Sequence, residues 1–185
     1  MKINYGCGSR IFHGYYNVDA VLHPDAKEKP QLLYAAEFDK EGNLIHKLPL
    51  DDGVASEIMA IHVFEHVFKW QTEALLKEWH RLLKPCGSLF LEMPDLIKCC
   101  RNVIDGMEGK IKAGKHPDQL GLWGLYGDDR LKDHYMCHKY GWTFKTLKPL
   151  IKSISFVDII EKPTKFHPAG KLHRDFRIEA KKANV

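Results

Sequence analysis

The sequence predicts an α/β domain with a doubly wound, mainly parallel sheet and an antiparallel strand at its C-terminal end. Short strand-like apolar runs recur at residues 3–5, 15–18, 31–38, 57–61, 88–93 and 156–160, and amphipathic helical patterns separate the later ones. Strands alternating with helices imply parallel pairing through crossovers. Near the end, Phe176, Ile178 and Ala180 alternate with Arg177 and Glu179, the period-two pattern of a half-buried terminal strand. A chain of 185 residues suffices for one domain with a sizeable core. Its 44% hydrophobic and 28% charged residues are a globular balance, neither disordered nor membrane-like.

Each element has a local reason. The first strand runs into Gly6-Cys7-Gly8, where two glycines permit a tight turn and close approach of backbone to a ligand. The second ends in Asp19, at the strand tip where nucleoside-binding α/β sheets hold ribose hydroxyls. Only residues 9–16 lie between, fewer than the dozen or so that a helical crossover needs. This connection is therefore expected to shrink to a turn or to join the strands unusually. Residues 23–30, bracketed by prolines and charges, read as a loop. Leu48-Pro49-Leu50-Asp51-Asp52-Gly53 is turn chemistry ahead of a short buried strand.

Leu75, Leu76, Trp79, Leu82 and Leu83 recur at helical spacing with Lys77, Glu78 and Arg81 opposite, and Pro85 and Gly87 stop that helix. After the strand at 88–93, Pro94-Asp95 opens a second helix with Leu96, Cys100, Val103 and Met107 on one face, Asp95 reading as its N-cap. Residues 110–133, rich in glycine and lysine, read as a lid or an exposed insertion. Thr143 caps a last helix carrying Leu147, Leu150, Ile151 and Ile154, which Pro149 should bend.

Several classes are set aside by composition. No apolar run approaches the roughly 20 residues of a bilayer span, and no secretory signal pattern opens the chain, so a cytoplasmic protein without membrane contact is expected. Five cysteines without a Cys-x-x-Cys pair suit reduced thiols. The net charge of +4 is too mild and dispersed for a nucleic-acid substrate to be expected.

Ligands of open α/β sheets bind beyond the carboxyl ends of the strands. The glycine turn, Asp19, residues 37–39 and residues 62–66 each come directly after a strand and should gather on one rim. A dinucleotide fingerprint would need a third glycine at position 11, which is Ile11, and an acid farther on than Asp19. A pyrophosphate would also lack the helix N-terminus it requires.

In this order the residues resemble the class I S-adenosylmethionine-dependent methyltransferases, a Rossmann-like family, in a small branch with a shortened N-terminal half. Asn4-Tyr5-Gly6-Cys7-Gly8 resembles the first motif, and Gly14-Tyr15-Tyr16-Asn17-Val18-Asp19 the second strand with its ribose-binding acid. The 48–53 turn leading to His62-Val63-Phe64-Glu65-His66-Val67 is similar to the loop and fourth motif. Leu82-Leu83-Lys84-Pro85-Cys86-Gly87-Ser88-Leu89 resembles the family's next helix-turn-strand, with Cys86 where relatives commonly carry glycine, and Met93-Pro94-Asp95-Leu96 resembles its continuation.

The resemblance implies a single methyltransferase-like domain over 1–185 that uses S-adenosylmethionine. Tyr5, Gly6, Cys7 and Gly8 would line the methionine end and Asp19 would hold the ribose. Glu37 or Asp39, with Phe38, would frame the adenine, and Ile61 and His62 would lie beside the sulfonium. The implied reaction is methyl transfer to an oxygen or nitrogen of a small-molecule or sugar-like acceptor. The alternative is a non-catalytic binding protein that keeps the fold, motivated by the shortened N-terminal half. Histidine titrates near neutrality, which makes His66, His134 and His138 the candidate bases. On helices, His62 and His66 would share a face, as would His134 and His138. Lacking a third ligand, neither pair is expected to form a metal site.

Overall fold

Alternation along the strands sorts the sheet into two unlike faces. In the computed structural model, which describes residues 1–111, 122–128, 132–166 and 173–184, the strands are β1 (Lys2–Tyr5), β2 (Tyr16–Asp19), β3 (Leu32–Leu33), β4 (Ala55–Ile61), β5 (Leu83–Pro94), β6 (Phe156–Lys162) and β7 (Asp175–Lys182). They form one sheet in the order β3-β2-β1-β4-β5-β7-β6. Every pairing from β3 to β5 is parallel, and β7 runs antiparallel to both β5 and β6. The register aligns Ile3 with Ile58, Ile58 with Leu89, and Leu89 with Ala180. That row, with Tyr5, Ala60, Leu91 and Ile178 beside it, makes a continuous buried face.

Two helices supply the other half of this core. Leu75, Leu76 and Trp79 come from α1 (Thr72–Leu82), and Trp79 meets Tyr5 edge-on with ring centroids 5.3 Å apart. Leu147 and Ile151 come from the last helix, Phe144–Ser153, where Thr143 Oγ1 accepts the Thr146 N–H at 3.1 Å as its N-cap. Burying side chains of this size contributes ~1.5–3 kcal/mol each. Pro149 lies within that helix, which runs from Phe144 to Ser153.

The second face is polar and carries no helix from residues 1–54, where the three connections are loops. Lys2 pairs with Glu57 at 3.1 Å, the Tyr15 hydroxyl bonds the Glu57 carboxylate, and Arg177 lies 4.9 Å over the Phe90 ring. Phe12 and Phe166, with centroids 5.7 Å apart, lie alongside, and Arg177 lies 5.6 Å over Phe166.

Where a crossover helix would stand between β1 and β2, two buried asparagines hold a turn. Asn17 Oδ1 accepts from Asn4 Nδ2 and from the Phe12 N–H, each at 2.9 Å. Asn17 Nδ2 donates to the Phe12 and Tyr15 carbonyls at 3.1 and 3.0 Å and to Gln31 Oε1 at 2.9 Å. Asn4 Nδ2 also reaches the Arg10 carbonyl at 2.9 Å. The expected reduced crossover is thus a loop whose backbone groups are satisfied by side chains.

Three expectations need correction. The third strand shrinks to Leu32–Leu33 because residues 38–44 curl into a bridge between Phe38 and Leu44. Asp39 holds that curl, its carboxylate accepting from the Asn43 N–H at 2.8 Å and the Glu41 N–H at 3.0 Å. In α2 (Leu96–Met107) the buried residue is Cys99, while Met107 stands 72% exposed. The helix packs there on α3 (Leu122–Tyr126), where a Cβ on Gly124 would lie 2.4 Å from Cys99 Sγ. The last helix is accordingly α4. Finally, His62 and His66 do not share a helix, since His62 lies just past β4 at φ 54° and the turn Phe64–His66 is 3₁₀; His134 and His138 likewise diverge.

Of the 110–133 segment read as a lid or insertion, residues 112–121 and 129–131 lie outside the described residues. All five cysteines are free thiols. Among the described residues no helix is long and apolar enough to cross a membrane.

Candidate active site

The carboxyl ends of β1, β2 and β4 meet on one rim, and the glycine turn is fixed there by β2. Gly6 and Cys7 N–H groups both donate to the Val18 carbonyl, at 2.8 and 3.1 Å. Gly6 has φ 68° and Gly8 φ 54°, the left-handed region that glycine enters without a Cβ clash. At Gly6 a Cβ would also lie 2.3 Å from Val63 Cγ2. Gly6→Ala is therefore expected to cost more than the ~1–2 kcal/mol of left-handed strain alone. Urea titration checks this, and adding Val63→Ala should recover the steric share but not the strain. Equal stability of Gly6→Ala and wild type would show that the turn is not held as described.

Asp19 closes the rim from β2. Its Oδ2 accepts the Gly8 N–H at 2.6 Å and its Oδ1 the Val21 N–H at 3.2 Å. Cys7 is buried beside it, and burial, reinforced by the Asp19 charge, pushes the thiol up to about 12. Tyr5 contributes backbone to the rim, since its ring is committed to Trp79 in the core. Ile61 is half-buried at the end of β4. Phe38 is half-buried against the core. Asp39, hydrogen-bonded by Asn43 and its neighbours, is held below the usual carboxylate range as a turn residue. Glu37 is exposed, and its carbonyl accepts the Ile45 N–H at 2.9 Å.

Beside this rim stands a cluster that the sequence shows only in part. His62 Nδ1 lies 3.0 Å from Glu65 Oε1 and His62 Nε2 lies 3.0 Å from Asp175 Oδ2. His138 Nε2 lies 4.0 Å from the same Glu65 oxygen, and the rings of His66 and His138 meet edge-on at 4.8 Å. Glu65 is 2% exposed. Asp175 and Glu65 were missed by sequence reasoning, because 113 residues separate His62 from Asp175 and no local pattern announces the pairing. His134 is not brought to this group; its side chain is 77% exposed beside Asp133.

Electrostatics divides the histidines. Burial opposes charge on His62, but its hydrogen bonds to Asp175 and Glu65 outweigh that and raise it to about 9. Burial likewise opposes charge on Glu65, yet His62, with His66 and His138 nearby, brings the carboxyl down to about 2. Burial pushes His138 down to about 4 against the attraction of Glu65, leaving a neutral ring at pH 7.

A pH dependence results, with a definite sign. His62, raised above its unfolded value of 6.5, stabilises the fold fully below pH 6.5 and loses that contribution as pH climbs through about 9. Glu65, depressed from 4.5, contributes above pH 4.5 and loses its share as pH falls towards about 2. Denaturant titrations should therefore show stability falling by on the order of 2 kcal/mol between pH 6.5 and 9. His62→Gln should flatten this alkaline limb; an unchanged limb in the variant would assign the titration elsewhere.

Known proteins resemble this chain in sequence over its first half and in fold over nearly its whole length. Residues 3–91 match the sequence profile of a family described as "Methyltransferase domain". Among curated proteins none matches. Of solved structures, a SAM-dependent methyltransferase from Archaeoglobus fulgidus is similar at TM-score 0.58 and 16% identity, over 97% of this chain and 85% of that one. A SAM-dependent methyltransferase from Thermotoga maritima, described as a possible histamine N-methyltransferase, is similar at TM-score 0.55 and 15% identity, covering 98% and 81%. The Burkholderia thailandensis 1,6-didemethyltoxoflavin-N1-methyltransferase, solved with S-adenosylhomocysteine bound, is similar at TM-score 0.50 and 16% identity, covering 98% and 70%.

Residues 3–91 thus resemble a methyltransferase domain in sequence, and the chain has the fold of the S-adenosylmethionine-dependent methyltransferases. The residues present suit that family's cofactor. The turn at Gly6 and Gly8 has no Cβ to hinder approach, and a carboxylate stands at the β2 tip. Among the described residues no helix begins at the turn to favour a phosphate, and S-adenosylmethionine carries none.

Proposed function

We propose that the chain is an active methyltransferase that methylates an oxygen or nitrogen of a small-molecule or sugar-like acceptor. The observation that carries this reading is the placement of two unlike half-sites on one rim. The glycine turn with Asp19 forms an adenosyl-binding half, and the Glu65, His66 and His138 cluster forms a proton-accepting half one strand away. In this reading Gly6 to Gly8 seat the methionine moiety, Asp19 takes the ribose hydroxyls, and Glu37, whose carboxylate is not spent on a turn, faces the adenine.

When bound, S-adenosylmethionine supplies a methyl group on a positively charged sulfur, and the acceptor's lone pair forms the new C–O or C–N bond as the C–S electron pair returns to sulfur. The protein's part is chiefly to hold that line of attack, which can be worth ~7–11 kcal/mol. The acceptor's proton passes to the histidine cluster. Carbonyls fix which nitrogens are available, because they only accept: Cys137 takes the Nδ1–H of His66 at 3.2 Å and Gly124 the Nδ1–H of His138 at 3.1 Å. Each ring's Nε2 therefore keeps its lone pair; a base matched to the working pH contributes ~10²–10⁴-fold, and His138, held at about 4 by burial, supplies less than that.

The test is transfer of labelled methyl from S-adenosylmethionine across a panel of hydroxyl- and amine-bearing acceptors. Turnover that falls in His138→Asn while cofactor affinity holds supports the reading. Tight cofactor binding with no turnover on any acceptor favours the non-catalytic alternative.

A further inference from the structure

We infer that Glu65, His66 and His138 form a three-ligand site for a zinc-like divalent cation. One donor atom from each of the three lies within 4.8 Å of the others. Tetrahedral zinc bonds of about 2.0–2.1 Å set donors roughly 3.4 Å apart, so modest side-chain rotation closes the cage. Two features prepare the donors. Both Nδ1–H groups are held by main-chain carbonyls, which orients the rings and leaves Nε2 as the ligating nitrogen, the usual outer-shell arrangement around zinc histidines. Glu65 is 2% exposed, and its Oε2 makes no hydrogen bond among the described residues. A buried carboxylate oxygen without a partner is costly, and a cation would satisfy it.

The surroundings fit a cation as well. Glu65 Oε1 lies 3.0 Å from His62 Nδ1 and 4.0 Å from His138 Nε2, and the far nitrogen of His62 rests on Asp175, so these two outer residues fix the carboxylate beside the histidine ligands. Two imidazoles and one carboxylate select zinc or a similar borderline ion over magnesium or calcium, which favour all-oxygen cages. Three protein ligands leave a fourth position open, as in zinc sites that act on a bound oxygen. Resting on the methyltransferase reading, that position is where an acceptor hydroxyl would bind and release its proton to solvent water more readily. In the metal-free protein the same two lone pairs serve as bases; with the cation bound, the ion takes over the acidifying role. The sequence hid the third ligand because Glu65 is adjacent to His66, a spacing at which side chains on one helix do not converge.

Cobalt(II) is the probe, since its visible absorption reports coordination. Chelator-treated protein should take up one equivalent of Co²⁺ with the intense bands of a four-coordinate site, and Zn²⁺ should displace it. His138→Asn and Glu65→Gln should weaken uptake by a factor of about 100, the upper end of what losing a supporting group costs a metal site. Should either buried change unfold the protein by circular dichroism, the half-buried His66→Asn serves instead. His134→Asn, an exposed histidine outside the cluster, should change nothing. Absence of the bands at millimolar Co²⁺, or bands unaffected by His138→Asn and His66→Asn, would overturn the proposal. Calorimetry with S-adenosylmethionine on the same preparation keeps the two readings separate, because cofactor binding does not require the cation.

Discussion

Asp19→Ala is expected to reduce affinity for S-adenosylmethionine by a factor of about 100 or more in calorimetric titration. Hydrogen bonds from ribose hydroxyls to a carboxylate contribute roughly 1.5–3 kcal/mol each, and losing two approaches or exceeds that factor. A second loss adds to it, because Asp19 also accepts the N–H of Gly8 and so shapes the glycine turn. Asp19→Asn separates the two effects, since its amide oxygen can still accept from Gly8 while the charge is gone. The fold should survive both changes, as the side chain is only half-buried at the rim. Wild-type affinity in Asp19→Ala would remove the ribose assignment and leave the rim without its defining contact.

Asn17→Ala is expected to destabilise the fold by about 3–5 kcal/mol in urea unfolding, the range in which several buried partners are lost together. The residue is 1% exposed, and its amide serves Asn4, Phe12 twice, Tyr15 and Gln31. Each buried group left unsatisfied costs ~1–3 kcal/mol, offset where water can enter behind the missing side chain. Asn17→Asp is the informative second variant. It keeps the acceptor for Asn4 and the Phe12 N–H but turns both donors into an oxygen facing the Phe12 and Tyr15 carbonyls and Gln31 Oε1, and it should destabilise comparably. A loss below about 1 kcal/mol in Asn17→Ala, no more than one ordinary hydrogen bond, would mean that the turn between β1 and β2 stands without this network.

The features legible in the sequence were those encoded within one turn of chain. Gly6 and Gly8 announce a left-handed turn, Asp19 a strand tip, and Leu75 to Leu82 a one-sided helix, because each needs only neighbours to be recognised. The shortened connection at 9–16 was legible as a length, but its solution was not. Asn4 and Asn17 look like ordinary polar residues until the register of β1 and β2 sets them side by side. The third strand was overread because residues 34–38 have strand-like composition, whereas Asp39, Gly42 and Asn43 turn the chain back on itself. In α2 the apolar spacing pointed to Cys100 and Met107, and packing on Gly124 chose Cys99 instead. The site divides in the same way. His66 and His138 were visible as residue types, and Glu65 and Asp175 were not, since their meaning depends on strands that approach only in the folded sheet.

The clasp at the entrance to β4 bears on the order in which the molecule assembles. Arg81 of α1 donates to the Leu48 and Leu50 carbonyls at 3.2 and 2.8 Å and to Asp52 at 2.6 Å, while Glu78 accepts the Leu48 N–H at 2.9 Å. The first 54 residues have no helix of their own to form early, and β1 pairs with β4, a partner distant along the chain. Segments rich in local contacts form ahead of those that must close long loops. The unit of β4, α1 and β5 is thus the natural nucleus, and β1, β2 and β3 are the last pieces to dock, with Arg81 and Glu78 as their mooring. The glycine turn and Asp19 lie on two of those late strands, so a ligand that binds there adds its free energy to the final step of folding.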